Sequence, residues 1–139
     1  MSDHYEIVFS CFLRRDTPEA VLAALRWHLG IDPDCPDDLS EEEHPWPLFL
    51  QYPGSRIPGG DSATLRHSES MTDLDGNDVW ELYARNYWVD DTLPLLDPLL
   101  RMLAPHVALP GYGGHLRHEG ATELSVIEFR DGGHLPISV

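Results

Sequence analysis

The stretch VWELYARNYWV, residues 79–89, constrains the fold more than any other part of the chain. Trp80, Leu82, Ala84, Asn86 and Trp88 alternate there with Val79, Glu81, Tyr83, Arg85, Tyr87 and Val89. Side chains of a strand point to opposite faces at every step, so this period-2 pattern predicts a strand with one buried side. The even side is the better core face, which obliges Asn86 to find a hydrogen-bond partner there. Such a strand cannot bury its apolar side alone, and its neighbours are legible nearby. TDLDGND, residues 72–78, carries Asp75-Gly76, a hairpin signal, and SATLRHSESM, residues 62–71, reads as the strand that enters the hairpin.

Near the start, YEIVFSCFL (5–13) places Ile7, Phe9, Cys11 and Leu13 on one face and Glu6, Val8, Ser10 and Phe12 on the other. Both faces are largely apolar, as in a central strand. RRDTPEAVLAALRWHLG then predicts a helix over 18–29. Thr17 suits the N-cap, Pro18 the first helical position and Glu19 the positive end of the dipole. Val21, Leu22, Leu25, His28 and Leu29 form its apolar stripe, and Gly30 suits the position after the helix. His28, beside Trp27, reads as a partly buried core histidine.

A second helix lies within DDTLPLLDPLLRMLAPHVA, where Leu95, Leu96, Leu99, Met102 and Leu103 keep helical spacing. Pro98 implies either a shorter helix capped by Asp97 or a kinked one beginning near Thr92, and Pro105 marks the end. GYGGHLRHEG and TELSVIEFRDGG read as two strands joined at 119–122. Asp131-Gly132-Gly133 is the next turn, and HLPIS a short strand or tail.

The order β-α-β-β-α-β in 139 residues predicts one domain of the α+β class. The economical solution is a ferredoxin-like βαββαβ antiparallel sheet with two helices on one face, plus one or two extra C-terminal strands. A long acidic loop, 31–62, is expected beside it. It holds seven acids between Asp32 and Glu43 and six prolines, and Trp46, Leu48, Phe49 and Leu50 are expected to pin it to the body. Loops of this length in compact domains are usually functional or partly disordered.

Charge narrows the function. Twenty-four acids face nine bases, a formal net charge of −15. That field repels nucleic acid and anionic membrane surfaces and suits a basic protein partner. Every basic residue is arginine, so lysine chemistry of the Schiff-base or P-loop kind is excluded. No apolar run approaches the ~20 residues that span a bilayer. The opening MSDHYEIVFS lacks the pattern of a secretory signal, so the expected location is the cytoplasm. Cys11 reads as a small core hydrophobe, and Cys35 sits in an acidic loop that blunts a thiol.

His115 and His118 invite a metal reading, but residues three apart on a strand face opposite ways, and zinc needs further ligands. The acidic stretch and DLDGND lack the ligand order of an EF-hand. Nucleophile motifs and a P-loop are absent from the sequence, so no metal and no cofactor is expected.

Strand parity yields the candidate site. Tyr112, Gly114, Leu116 and His118 form the expected helix-facing set of their strand. Ser10, Phe12, Glu81, Tyr83, Arg85, Tyr87, His115 and Arg117 then share the sheet's open face. Tyr and Arg are favoured at recognition hot spots, although cross-strand pairs that only stabilise a sheet account for the same residues. The expected function is that of a small acidic binding protein without catalytic activity, inhibitor- or immunity-like, masking a basic partner. The alternative is an enzyme of dimeric α+β barrel type with a pocket on this face. His115 would then be acid/base, Arg85 or Arg117 an anion clamp, and Tyr83 or Tyr87 a proton donor. A homodimer is possible, and would cover this face or complete such a pocket.

Overall fold

A computed structural model describes residues 3–137, so the Ser138 end of the expected HLPIS segment lies outside the described residues. Among the described residues six strands form one sheet: β1 (His4–Arg14), β2 (Ser62–Thr72), β3 (Asp78–Val89), β4 (Gly111–His118), β5 (Ser125–Arg130) and β6 (Gly133–His134). Their order is β2-β3-β1-β4-β5-β6, with each neighbouring pair antiparallel. Two helices, α1 (Glu19–His28) and α2 (Leu96–Leu103), complete an α+β architecture. The sheet runs on past β4 to β5 and β6, so its order and strand count differ from those of a bare four-stranded ferredoxin-like sheet, to which the sequence reading adds one or two C-terminal strands.

The alternation of β1 and β3 explains the core. Ile7, Phe9, Leu13, Leu82, Ala84 and Trp88 pack with Leu25 of α1 and with Leu99, Leu100 and Leu103 of α2 in one buried cluster. Each fully buried Leu, Ile or Phe contributes ~1.5–3 kcal/mol, which makes this side of the sheet the main source of stability.

Local details correct the sequence reading at several points. Thr17 does not cap α1. Its hydroxyl turns back to donate to the Arg14 carbonyl, and Pro18 precedes the helix instead. Gly30, at φ +80°, closes the helix as expected: its N–H donates to the Trp27 carbonyl and that of Ile31 to Arg26. At the second helix, Asp90–Leu95 form a 3₁₀ turn and α2 begins at Leu96. Pro98 therefore falls in the first turn, where its missing N–H costs nothing. Asp97 caps nothing and instead binds Arg101 and His134. The β2–β3 hairpin turns where expected, held by Asp73 Oδ1, which accepts from the N–H groups of Asp75 and Asn77.

Residues 31–61 contain neither strand nor α-helix and form a strap. Leu48, Phe49 and Ile57 bury it against the body, whereas Trp46 and Leu50, expected as pins, stay 47% and 48% exposed. The polar groups of β3's core face fix the strap: Asn86 Nδ2 donates to the Leu50 carbonyl and Trp88 Nε1 to that of Leu48. Asn86 Nδ2 thus finds a partner, whereas its Oδ1 is buried without one. Among the described residues no helix is long and apolar enough to cross a membrane.

Candidate binding site

Register places all eight predicted face residues on the side of the sheet away from the helices. Ser10 lies opposite Tyr83 and Phe12 opposite Glu81. Glu6 sits between Tyr87 and Arg117, and Val8 between Arg85 and His115. Tyr112 joins them, against expectation. The β4–β5 ladder shifts between Tyr112 and Gly114, a bulge that reverses parity ahead of His115. The Tyr112 hydroxyl consequently lies 2.8 Å from His115 Nδ1. Glycine is required beside the bulge: Gly114 has φ +134°, and a Cβ there would collide with the Val8 carbonyl. His118 falls on the other side, edge-on to Tyr5 and 3.3 Å from Asp3. Among the described residues no cluster of His, Cys, Asp and Glu is suited to a metal ion.

The face is divided. In one half Glu6 is clamped by two arginines, with Arg85 Nη2 at 2.7 Å and Arg117 Nε at 3.3 Å. Burial alone would raise the Glu6 carboxyl, but the bonds from Arg85 and Arg117 outweigh it and hold it below the usual carboxylate range. The strap covers this half. Arg85 Nη1 donates to the Pro58 carbonyl at 2.9 Å, Ile57 is buried, and only about 40 Å³ of space remains around Glu6, Tyr87 and Arg117. Glu81 is likewise engaged, by Arg66 and Ser68 of β2. The other half stays open, with Tyr83, Tyr112 and Val126 exposed.

The larger space lies where β1 begins and β3 ends. There the strap stands off the sheet and leaves a groove of about 480 Å³, within the ~300–1,000 Å³ typical of ligand sites. Trp46, Leu50, Tyr52, Arg56, His4 and Tyr87 line it, with the buried Leu48 and Trp88 beneath. Tyr87 organises its polar end. The His4 ring stacks on Tyr87 at 5.0 Å, and the Arg56 guanidinium lies 5.6 Å over the same ring. Arg56 Nε donates to the Tyr87 oxygen at 2.8 Å, and the Tyr87 hydroxyl donates to Glu119 Oε2 at 2.6 Å. Arg56 Nη2 closes the triangle, 2.9 Å from Glu119 Oε1. Burial and the bond to Glu119 lift the Tyr87 phenol above its ordinary value, so it remains a donor.

A buried histidine pair holds the strap's acidic end. His28 is wholly buried, rather than partly so as the sequence suggests, and its Nδ1 accepts the Leu48 N–H at 3.0 Å. The proton of the neutral ring is thereby placed on Nε2, which donates to His44 Nδ1 at 3.0 Å. Burial, with the neighbouring His44, pushes His28 down to about 3, and burial also lowers His44. His44 opens onto a cavity of about 350 Å³ that Cys35 and Glu41 also line. With Nδ1 occupied, His44 presents an N–H there, not a basic lone pair. Burial, then the charges of Glu41 and Asp37, raise the Cys35 thiol. His44 therefore faces this cavity as a donor and Cys35 as a protonated thiol, the wrong states for nucleophilic catalysis.

Comparison of the chain with protein-family models, with curated proteins and with solved structures finds no match. Of the predicted residues, Tyr87 alone reaches the groove. Trp46, Tyr52, Arg56 and His4 were missed as site residues. For Trp46 and Tyr52 the available signal is the density of aromatics in a segment rich in proline and glycine; His4 and Arg56 carry no such signal.

Proposed function

We propose that this chain is a small acidic binding protein, without catalytic activity of its own, that masks a basic protein partner in the manner of an inhibitor or immunity protein, and that it acts in the cytoplasm. The observation that carries the reading is the groove, whose Trp46 and Tyr52 remain 47% and 57% exposed beside it. Large rings lining a preformed groove are anchors of recognition, since they offer contact area at little entropic cost. The net charge of −15 supplies attraction to a basic surface. The predicted face then divides in role: Tyr87 binds through the groove, and Ser10, Phe12, Tyr83 and His115 extend the contact surface across the open half. Glu81, Arg85 and Arg117 support it from beneath. In this reading β1 to β4 with the two helices are a ferredoxin-like unit, extended by β5 and β6.

One observation favours a second reading. The Tyr112–His115 hydrogen bond beside the exposed Tyr83 suits an acid/base pair in a site closed by a second copy, the enzyme of dimeric α+β barrel type.

The test is capture of partners on the immobilised chain at low salt, followed by reconstitution with the purified partner. The binding reading expects an arginine- or lysine-rich protein whose affinity falls about tenfold or more in Trp46→Ala/Tyr52→Ala. Undiminished affinity in that variant would overturn it. A chain that is dimeric in solution, with Tyr83 and Val126 protected from exchange at the interface, would favour the second reading.

A further inference from the structure

We infer that the Tyr87–Glu119 end of the groove is a guanidinium subsite, that Arg56 of the strap occupies it in the free protein, and that an arginine side chain of the basic partner takes its place on binding. The inference rests on the binding reading above and names the group that the groove recognises.

The geometry around Arg56 is that of a bound arginine ligand. Nε and Nη2, adjacent corners of one planar fork, donate to two different acceptors, the Tyr87 oxygen and Glu119 Oε1. The guanidinium lies over the Tyr87 ring, and Glu119 uses its second oxygen to take the Tyr87 hydroxyl. A planar fork satisfies this arrangement, and a lysine ammonium, a compact point charge, does not. Tyr87 and Glu119 belong to the body of the fold, on β3 and just beyond β4, whereas Arg56 comes from the strap. A fixed acceptor pair is thus filled by a residue of a separate segment.

That filling is exchangeable. The Arg56 side chain is 62% exposed and that of Glu119 is 41% exposed. Ion pairs this open to water are held by roughly 0–1 kcal/mol. Strap attachment does not depend on the contact, because the adjacent Ile57 is the buried residue and Pro58 carries the bond from Arg85. An incoming arginine from a partner seated on the groove replaces Arg56 bond for bond, while Trp46 and Tyr52 cover the residues that flank it. The excess of negative charge favours the incoming cation and lets the displaced Arg56 move to solvent at small cost.

The test titrates Nα-acetyl-arginine amide into the intact chain and into Arg56→Ala, followed by NMR. The lysine analogue and the neutral isostere Nα-acetyl-citrulline amide serve as controls. With the internal competitor gone, Arg56→Ala should bind the arginine probe roughly two- to sixfold more tightly than the intact chain, with shifts at Tyr87 and His4. The gain should vanish in Arg56→Ala/Glu119→Gln, and the citrulline probe should not bind. No gain in Arg56→Ala, equal binding of citrulline or lysine, or shifts confined elsewhere would overturn the inference. These outcomes are separate from failure of the binding reading. A partner that needs Trp46 and Tyr52 while the arginine probe ignores Arg56→Ala leaves the groove as the site and removes the guanidinium subsite. A partner indifferent to Trp46 and Tyr52 removes the groove itself.

Discussion

The covered half of the sheet face and the groove meet at Tyr87, yet they differ in what their polar groups are bound to. Under the strap, Glu6, Arg85 and Arg117 bind one another, and Ile57 and Pro58 close over them. In the groove, rings stand beside a space of about 480 Å³, and the polar triangle at its end is completed by the exposed Arg56 of the strap. Residues of the same types, Tyr, Arg and Glu, therefore do opposite work. Where partners are internal and half-buried, they hold the fold together. Where rings border room, they are available to a ligand.

The contrast can be broken by perturbing the two regions separately or together. The largest effect should come from the anchor they share. His28→Leu leaves the Leu48 N–H and His44 Nδ1 buried without partners, and should cost about 3 kcal/mol in denaturant unfolding. Because the strap forms both the cover and one groove wall, exchange protection should fall in both regions. Loss confined to the acidic end would show that the strap is held elsewhere.

Acid should act through the same pair. Folded His28 stays neutral down to about 3, while the unfolded side chain takes up a proton near 6.5. The unfolded chain therefore binds more protons across that window, and stability falls as pH drops through it by up to about 1.4 kcal/mol per unit. His44, also lowered, adds in the same direction. Unfolding free energies measured between pH 6.5 and 5, above the carboxylate range, should already decline, and a flat profile there would contradict the buried neutral pair.

A smaller effect is expected from the clamp. Glu6→Ala leaves Arg85 and Arg117 without their shared carboxylate and should destabilise by about 1–2 kcal/mol, with partner affinity unchanged. Affinity lost in step with stability would return the covered half to the binding surface. The smallest change belongs to the groove: Trp46→Ala and Tyr52→Ala remove exposed rings and should shift unfolding by no more than about 0.5 kcal/mol.

Much of the sheet was legible in the sequence, because period-2 alternation along 5–13 and 79–89 is enforced by burial of one side. Helix α1 and the Asp75-Gly76 turn were legible for a similar reason, each being set by local chemistry. Parity also brought the eight face residues together. Tyr112 was misplaced because a bulge beside Gly114 changes parity without altering residue type, and only contact with β1 reveals why glycine is needed there. The His28–His44 pair was invisible for a different reason. Its members lie 16 residues apart in segments of unlike structure, so no spacing rule links them. The strap was the least legible part. Which strap residues are buried depends on where the Leu48 and Leu50 carbonyls meet Trp88 and Asn86 across the fold, and hydrophobicity alone does not tell the buried Leu48 from the exposed Leu50.

The central claim is that the groove, and not the covered face, is where the partner binds. The most direct measurement is the affinity of the reconstituted partner for Trp46→Ala/Tyr52→Ala beside its affinity for Glu6→Gln, with both chains shown to be folded. The account predicts a loss of about tenfold or more in the groove variant and a change within about twofold in the clamp variant. Equal losses, or a loss only in the clamp variant, would contradict it.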